Sequence, residues 1–356
     1  MTFTYFNNSK EIYDDMLFEI ERAKESISLQ TYIYSKDYLG EKFLNVLTKK
    51  AKQGVNVMLL VDAWGSYGVT HSFFKHLTDA GGKVNFFRPI KIRIDFNNVR
   101  RNHRRNHRKL LVIDEKVSYL GSINIMGESV DWKEYVVKIN DSYLSQKLKE
   151  SIDEDDKIKN TLFYNKQKHI QTIIYKDVEI IKDIPSYRHQ LIRKKYIELI
   201  DNAKKEITLE HSYFFPDKKV LRALKRAKKR GVNIIILIPR HSDVRIFDIA
   251  RQYLFGKYYK NGYDLYFYEK SIMHSKIMVI DDIDIVIGST NLDYRSLKYQ
   301  FEIIFHRKNK DDAKVLKEMI KEDLKYSKKF DYVEWKARPK IEKILEFLLY
   351  KLRFLL

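Results

Sequence analysis

The chain of 356 residues contains no cysteine, which excludes disulfides, thiolate metal centres and cysteine nucleophiles together. It has only 12 Gly and 5 Pro, too few for a collagen-like or low-complexity polymer. No stretch approaches the roughly 20 apolar residues that a membrane-spanning helix needs, and the core-like run from Val232 to Pro239 is far shorter. The opening segment MTFTYFNNSK, Met1 to Lys10, has neither a basic nor an apolar leader region, so no cleaved signal peptide is expected. The sequence therefore predicts a cytoplasmic protein whose contact with a membrane is peripheral, on the inner face of the cell membrane.

What is present is a substantial core and a strong charge bias. Hydrophobic residues make up 44% of the chain, enough for two ordinary domains or one duplicated core. The 68 Lys and Arg residues exceed the 48 Asp and Glu residues, leaving a formal charge of +20. That sign favours anionic partners such as nucleic acid or phospholipid headgroups without choosing between them.

The chain is written twice. ERAKESISLQTYIY (Glu21 to Tyr34) and DNAKKEITLEHSYFF (Asp201 to Phe215) share an Ala-Lys helix end followed by a strand pattern. AKQGVNVMLLVD (Ala51 to Asp62) matches AKKRGVNIIILIP (Ala227 to Pro239), where a basic helix stops at Gly54 or Gly231 and a buried strand begins. HRKLLVIDEKVSYLGSINI (His107 to Ile125) matches HSKIMVIDDIDIVIGSTNL (His274 to Leu292). Helices alternating with strands predict a duplicated α/β sandwich with mostly parallel sheets. The boundaries are expected at 1–170 for the first half, 171–307 for the second, and 308–356 for a helical C-terminal segment.

Each copy carries H-x-K-x4-D: His107, Lys109 and Asp114, then His274, Lys276 and Asp281. Gly121, Ser122 and Asn124 follow His107 by 14, 15 and 17 residues, and Gly288, Ser289 and Asn291 follow His274 by the same intervals. One occurrence would be a weak motif; two with matched spacing form a constellation. On a strand, the period of two puts His and Lys of each pair on one face. Two imidazoles can divide a displacement at phosphorus, one attacking while the other donates a proton to the leaving oxygen. The Lys and Asn side chains, with Ser122 and Ser289 in the same turns, are expected to bind the phosphate oxygens. Glu134 and Glu302 stand 27 and 28 residues after their histidines and are expected to fix the imidazole tautomers.

Two further segments carry charge or apolar surface. IDFNNVRRNHRRNH (Ile94 to His107) gathers Arg100, Arg101, Arg104 and Arg105 and could attract a polyanionic strand. Near the end, Ile341, Ile344, Leu345, Leu348, Leu349, Leu352 and Leu355 follow helical spacing beside Lys340, Lys343, Lys351 and Arg353. Such a helix can lie in the headgroup plane of a bilayer or pack on the core.

The paired HxKxxxxD motifs resemble those of the phospholipase D superfamily over about 290 residues, Tyr13 to Ile304, with Asn-Leu-Asp-Tyr-Arg-Ser at 291–296 the most family-like run. Within it the similarity is nearest to bacterial cardiolipin synthases. The resemblance implies two halves about a pseudo-dyad, one active site at their interface, and no metal or other cofactor. It implies a phosphohistidine mechanism with His107 as nucleophile and His274 as general acid and then base, or the reverse. It also implies that Asp114 and Asp281 point away from substrate, and that the donor is phosphatidylglycerol at a membrane surface, converted to cardiolipin or hydrolysed. A phosphodiesterase acting on nucleic acid is the competing expectation, and the sequence leaves the oligomeric state open.

Overall fold

The computed structural model describes residues 1–90, 102–161, 169, 171–185 and 190–352. Two sheets form, one per repeat. The first contains β1 (Thr2–Phe6), β2 (Ser26–Thr31), β3 (Asn56–Asp62), β4 (Lys83–Phe87), β5 (Leu110–Ile113), β6 (Val117–Gly121) and β7 (Val136–Asn140), in the order β1-β7-β6-β5-β2-β3-β4. The second contains β8 (Gln171–Tyr175), β9 (Val178–Asp183), β10 (Glu206–His211), β11 (Asn233–Pro239), β12 (Asp264–Tyr268), β13 (Lys276–Ile280), β14 (Asp284–Gly288), β15 (Glu302–Lys308) and β16 (Ser327–Lys329), in the order β16-β12-β11-β10-β13-β14-β15-β9-β8. The run β4-β3-β2-β5-β6-β7 thus recurs as β12-β11-β10-β13-β14-β15.

The sheets are mixed, which corrects the expectation of mostly parallel pairing. Only β2-β3-β4 and β10-β11-β12 are parallel; the motif strands pair antiparallel with β2 and β10. The cause is local. Asp114–Glu115 and Asp281–Asp282 all take positive φ of 50–59°, which closes a tight hairpin after each motif strand, so β6 and β14 must return antiparallel.

The helices that cover the outer faces follow the amphipathic pattern. Ser9–Arg22 buries Ile12, Tyr13, Met16, Leu17 and Ile20, and Asn8 caps its N-terminus. Lys218–Lys229 buries Val220, Ala223, Leu224 and Ala227, with Asp217 as cap and a basic last turn against the dipole. A third apolar cluster joins the halves, packing Leu120, Val137, Leu144 and Leu148 with Ile287, Ile303, Leu316 and Ile320.

The residues after Arg307 do not stand apart from the second half. Helix Lys310–Lys325 buries Ala313, Leu316 and Ile320 and packs on β13 and β14 as helix Ser142–Ile158 packs on β5 and β6. β16 then extends the second sheet by pairing with β12. The expected boundary at Ile170 and the terminal Arg353 and Leu355 lie outside the described residues.

Candidate active site

Each motif strand begins at the seam between the halves, and backbone pairing across that seam sets its start. His107 N donates to Phe301 O at 3.0 Å and Phe301 N to Arg105 O at 2.9 Å; His274 N donates to Lys133 O and Lys133 N to Ile272 O, both at 2.8 Å. The residues that follow these bridges in the partner half are Glu302 and Glu134. His107 Nδ1 consequently meets Glu302 Oε1 at 3.0 Å, and His274 Nδ1 meets Glu134 Oε1 at 2.8 Å. Each imidazole is held by the carboxylate of the other repeat.

Both rings open into one cavity of about 350 Å³, lined also by Tyr32, Asn124, Trp132, Tyr213, Asn291 and Arg295. With Nδ1 engaged, Nε2 is the nitrogen each ring has left for chemistry. Lys109 Nζ donates to His107 O and Lys276 Nζ to His274 O, each at 2.6 Å, so both ammonium groups are anchored beside their imidazoles. The amides are anchored by their oxygens: Asn124 Oδ1 accepts from Ile33 N at 3.1 Å and Asn291 Oδ1 from the Ser212 hydroxyl at 3.0 Å. That arrangement leaves the amide NH₂ groups as donors for an anion.

Burial dominates the electrostatics. It pushes His107 well below its ordinary value, reinforced by the charges of Lys109, Lys276, His274 and Arg295. It also lowers His274, against the opposing pull of Glu134. Lys109 falls well below the usual lysine range, and Lys276 is lowered to about 8, both chiefly by desolvation. Glu302 is raised to about 7 by the same cause. A phosphate bound between the lysines favours their charged forms against this desolvation.

Several expected site residues sit elsewhere. Ser122 and Ser289 are not in the cavity lining. The Ser122 hydroxyl donates to Tyr135 O at 3.2 Å and accepts from Tyr135 N at 3.0 Å, while the Ser289 hydroxyl donates to Glu302 Oε2. Their hydroxyls brace β7, β15 and the Glu302 carboxylate. Asp114 and Asp281, grouped with the catalytic residues by motif, lie at the far ends of their strands. Asp114 accepts from the backbone N–H of Lys24, Glu25 and Ser26 at 2.8–2.9 Å, and Asp281 from Lys204, Lys205 and Glu206 at 2.6–3.0 Å.

The arginine cluster is also corrected where it is described. Arg105 is fully buried and pairs with Asp62, its Nη2 2.8 Å from Oδ1. Arg108, equally buried, pairs with Asp155 at 2.6 Å and donates to Asp183 O at 2.7 Å. These arginines are internal struts with no surface to offer a polyanion; Arg100 and Arg101 lie outside the described residues. Tyr32, Trp132, Tyr213, Asp243 and Arg295 line the cavity without having been singled out. Arg295 alone had a signal, inside the Asn-Leu-Asp-Tyr-Arg-Ser run.

Comparison with known proteins places these features in context. The family model described as cardiolipin synthase, PLD-like domain, matches residues 16–155 and 196–324. The major cardiolipin synthase ClsA of Bacillus subtilis is 33% identical over 345 residues, covering 93% of this chain and 70% of that protein. A cardiolipin synthase of Clostridium perfringens is 31% identical over 363 residues, covering 96% of this chain and 74% of that one. The crystal structure of a phosphatidylserine synthase from Haemophilus influenzae superimposes with a TM-score of 0.80 at 12% identity, over 99% of this chain and 95% of that chain. This last likeness is one of fold.

Proposed function

The chain belongs to the cardiolipin synthase family of phospholipase D-like proteins, and from that premise we propose that it moves a phosphatidyl group from one phosphatidylglycerol to another. The observation that carries this reading is the pair of imidazoles sharing one cavity, each with Nδ1 on a carboxylate. Nε2 of His107 attacks phosphorus, and His274 gives its proton to the departing glycerol oxygen, forming a phosphohistidine. His274 then takes a proton from a hydroxyl of the second phosphatidylglycerol, whose oxygen attacks phosphorus, releases His107 and forms cardiolipin. Water in place of that hydroxyl gives phosphatidic acid. Lys109, Lys276 and the amide groups of Asn124 and Asn291 hold the non-bridging oxygens as charge builds on them.

Access to a bilayer is supported by helix Lys340–Lys351. Its Leu349 and Tyr350 pack inward against the second half, whereas Ile341, Ile344, Leu345 and Leu348 are 46–76% exposed along one stripe. Among the described residues no helix is long and apolar enough to cross a membrane. A stripe of this kind suits peripheral attachment at the cytoplasmic leaflet, where anionic headgroups meet the excess positive charge.

The test is direct. Purified protein is incubated with phosphatidylglycerol vesicles and, separately, with single-stranded DNA, and the products are identified by mass spectrometry. Cardiolipin with intact DNA is expected. Phosphatidic acid alone would make the protein a lipase, and DNA fragments alone would overturn the lipid reading.

A further inference from the structure

The histidine cavity has to accept anions, yet two carboxylates line it, Asp243 and Asp293. Asp293 is committed to its own turn, where Oδ1 accepts from Ser296 N at 2.7 Å. Asp243 is exposed, and its Oδ1 accepts from the Tyr213 hydroxyl. Its Oδ2 has no partner among the described residues. Tyr213 stands edge-on to His274, ring centroids 6.4 Å apart at 85°, and packs against Phe247 at 4.7 Å. The charge of Asp243 reaches His274 and Lys276, raising both against the pull of burial. This carboxylate therefore serves the His274 side of the cavity.

The first half has no counterpart. Ser35 N donates to Ile125 O as Phe215 N donates to Leu292 O, both at 2.9 Å, which puts Ile33 where the second half has Tyr213. Ala63 N donates to Phe87 O at 3.0 Å as Arg240 N donates to Tyr268 O at 2.8 Å. Three residues further on, Ser66 stands where the second half has Asp243. Ser66 is 2% exposed; its hydroxyl donates to Tyr32 O at 3.1 Å and accepts from Tyr34 N at 2.9 Å. An apolar side chain and a buried brace thus replace the Tyr–Asp pair. The cavity is symmetric in its histidines, lysines and asparagines and asymmetric at the edge beside His274.

We propose that Asp243 and Tyr213 recognise a vicinal diol, the glycerol headgroup of the acceptor phosphatidylglycerol. The assignment rests on the transfer reading of the histidine cavity and names what selects the acceptor there. Asp243 Oδ2 and the Tyr213 oxygen are two acceptors for hydroxyl groups. The hydroxyl that does not react donates to Asp243. The neighbouring hydroxyl passes its proton to Nε2 of His274, left neutral by the first step, as its oxygen attacks phosphorus and the P–N bond to His107 breaks. Water has no second hydroxyl to offer, so the pair favours transfer over hydrolysis; a site built to bind a hydroxyl discriminates strongly against a molecule lacking it. A cationic headgroup fits less well, because Arg295 lines the same cavity and bound phosphate keeps both lysines charged.

The full-length protein is given a phosphatidyl ester of p-nitrophenol together with 1,2-propanediol, 1-propanol or ethanolamine at equal concentration, and the phosphatidyl products are quantified by mass spectrometry. The ratio of alcohol product to phosphatidic acid is read per phosphohistidine formed, so it depends neither on the folded fraction nor on the rate of donor cleavage. The diol ratio is expected to exceed the 1-propanol ratio by roughly tenfold or more, as one hydrogen bond to a charged group implies. Asp243→Asn should bring the diol and 1-propanol close to parity, and Tyr213→Phe should move the ratio in the same direction. Parity of those two alcohols in the wild type, an unchanged diol preference in Asp243→Asn, or ethanolamine outcompeting the diol overturns the diol assignment while the transfer reading stands. Phosphatidic acid as the sole product, or no release of p-nitrophenol, overturns that reading and the assignment with it.

Discussion

His107 takes its orienting carboxylate from Glu302, 195 residues away, and not from Glu134 in its own repeat. The two His–Glu pairs are crossed, so each proton-handling unit is completed only when the halves meet. Variant behaviour should therefore sort by crossed pair. Glu302→Gln should resemble His107→Ala, and Glu134→Gln should resemble His274→Ala, each glutamine variant losing roughly 10²–10⁴ in kcat. A phosphatidyl ester of p-nitrophenol separates the pairs, because a good leaving group has little need of a general acid. It should restore the first-turnover burst of p-nitrophenol in Glu134→Gln and His274→Ala, whose second step still lacks its base, and little of it in Glu302→Gln and His107→Ala. Rescue sorted by repeat would refute the crossed assignment.

The pH dependence of kcat/KM should be a narrow bell, because that ratio reports the free enzyme. Glu302 must be ionised to support the imidazolium, and its carboxyl titrates at about 7, so activity falls as pH drops through that value. Lys276 must be charged to hold phosphate and titrates at about 8, so activity falls again as pH rises past it. Glu302→Gln should remove the acidic limb and leave the alkaline one. Lys276→Arg, which stays protonated throughout, should extend the alkaline side in whatever activity it retains.

Asp114 and Asp281 should matter for stability far more than for turnover. Each carboxylate gathers three consecutive backbone N–H groups at the start of β2 or β10, which depresses both carboxyl pKa values despite partial burial. Asp114→Ala loses those bonds and also places alanine at φ 51°, so a loss of roughly 1–3 kcal/mol is expected. Asp114→Asn, which tolerates that backbone and keeps one acceptor, should lose less. Thermal melts beside kcat for the folded fraction check this; a thousandfold loss of kcat at unchanged melting temperature would make Asp114 part of the chemistry.

The His-Lys faces were legible because they depend on residues two positions apart, and the repeat because whole blocks recur in the same order. Local spacing carries no information about which half of the molecule faces which. Glu134 and Glu302 were recognisable as carboxylates at matched intervals, but their exchange between histidines follows from backbone bridges at Phe301 and Lys133. Arg105 read as surface charge because it sits in an arginine run, yet its partner Asp62 lies 43 residues away and draws it into the interior. Ser122 and Ser289 share the phosphate-site turn with Asn124 and Asn291, and only strand orientation separates the roles.

The exposed stripe on Lys340–Lys351 is tested better by point changes than by deletion, because the same helix carries Leu349 and Tyr350 into the core and Glu346 to Arg338 at 2.9 Å. Removing the helix would expose that interior and confound membrane affinity with folding. Ile344→Glu and Leu348→Glu alter only side chains 59% and 53% exposed, so melting temperature should hold. Each aliphatic side chain inserted into a bilayer contributes roughly 1.5–3 kcal/mol, and a carboxylate there also meets the repulsion of anionic headgroups. Binding to phosphatidylglycerol vesicles, measured by sedimentation, should therefore weaken at least about tenfold per substitution. Hydrolysis of a short-chain soluble diester should persist at the wild-type rate, since neither residue lines the histidine cavity. Undiminished vesicle binding in the double variant would assign attachment to another surface and leave this stripe without a membrane role.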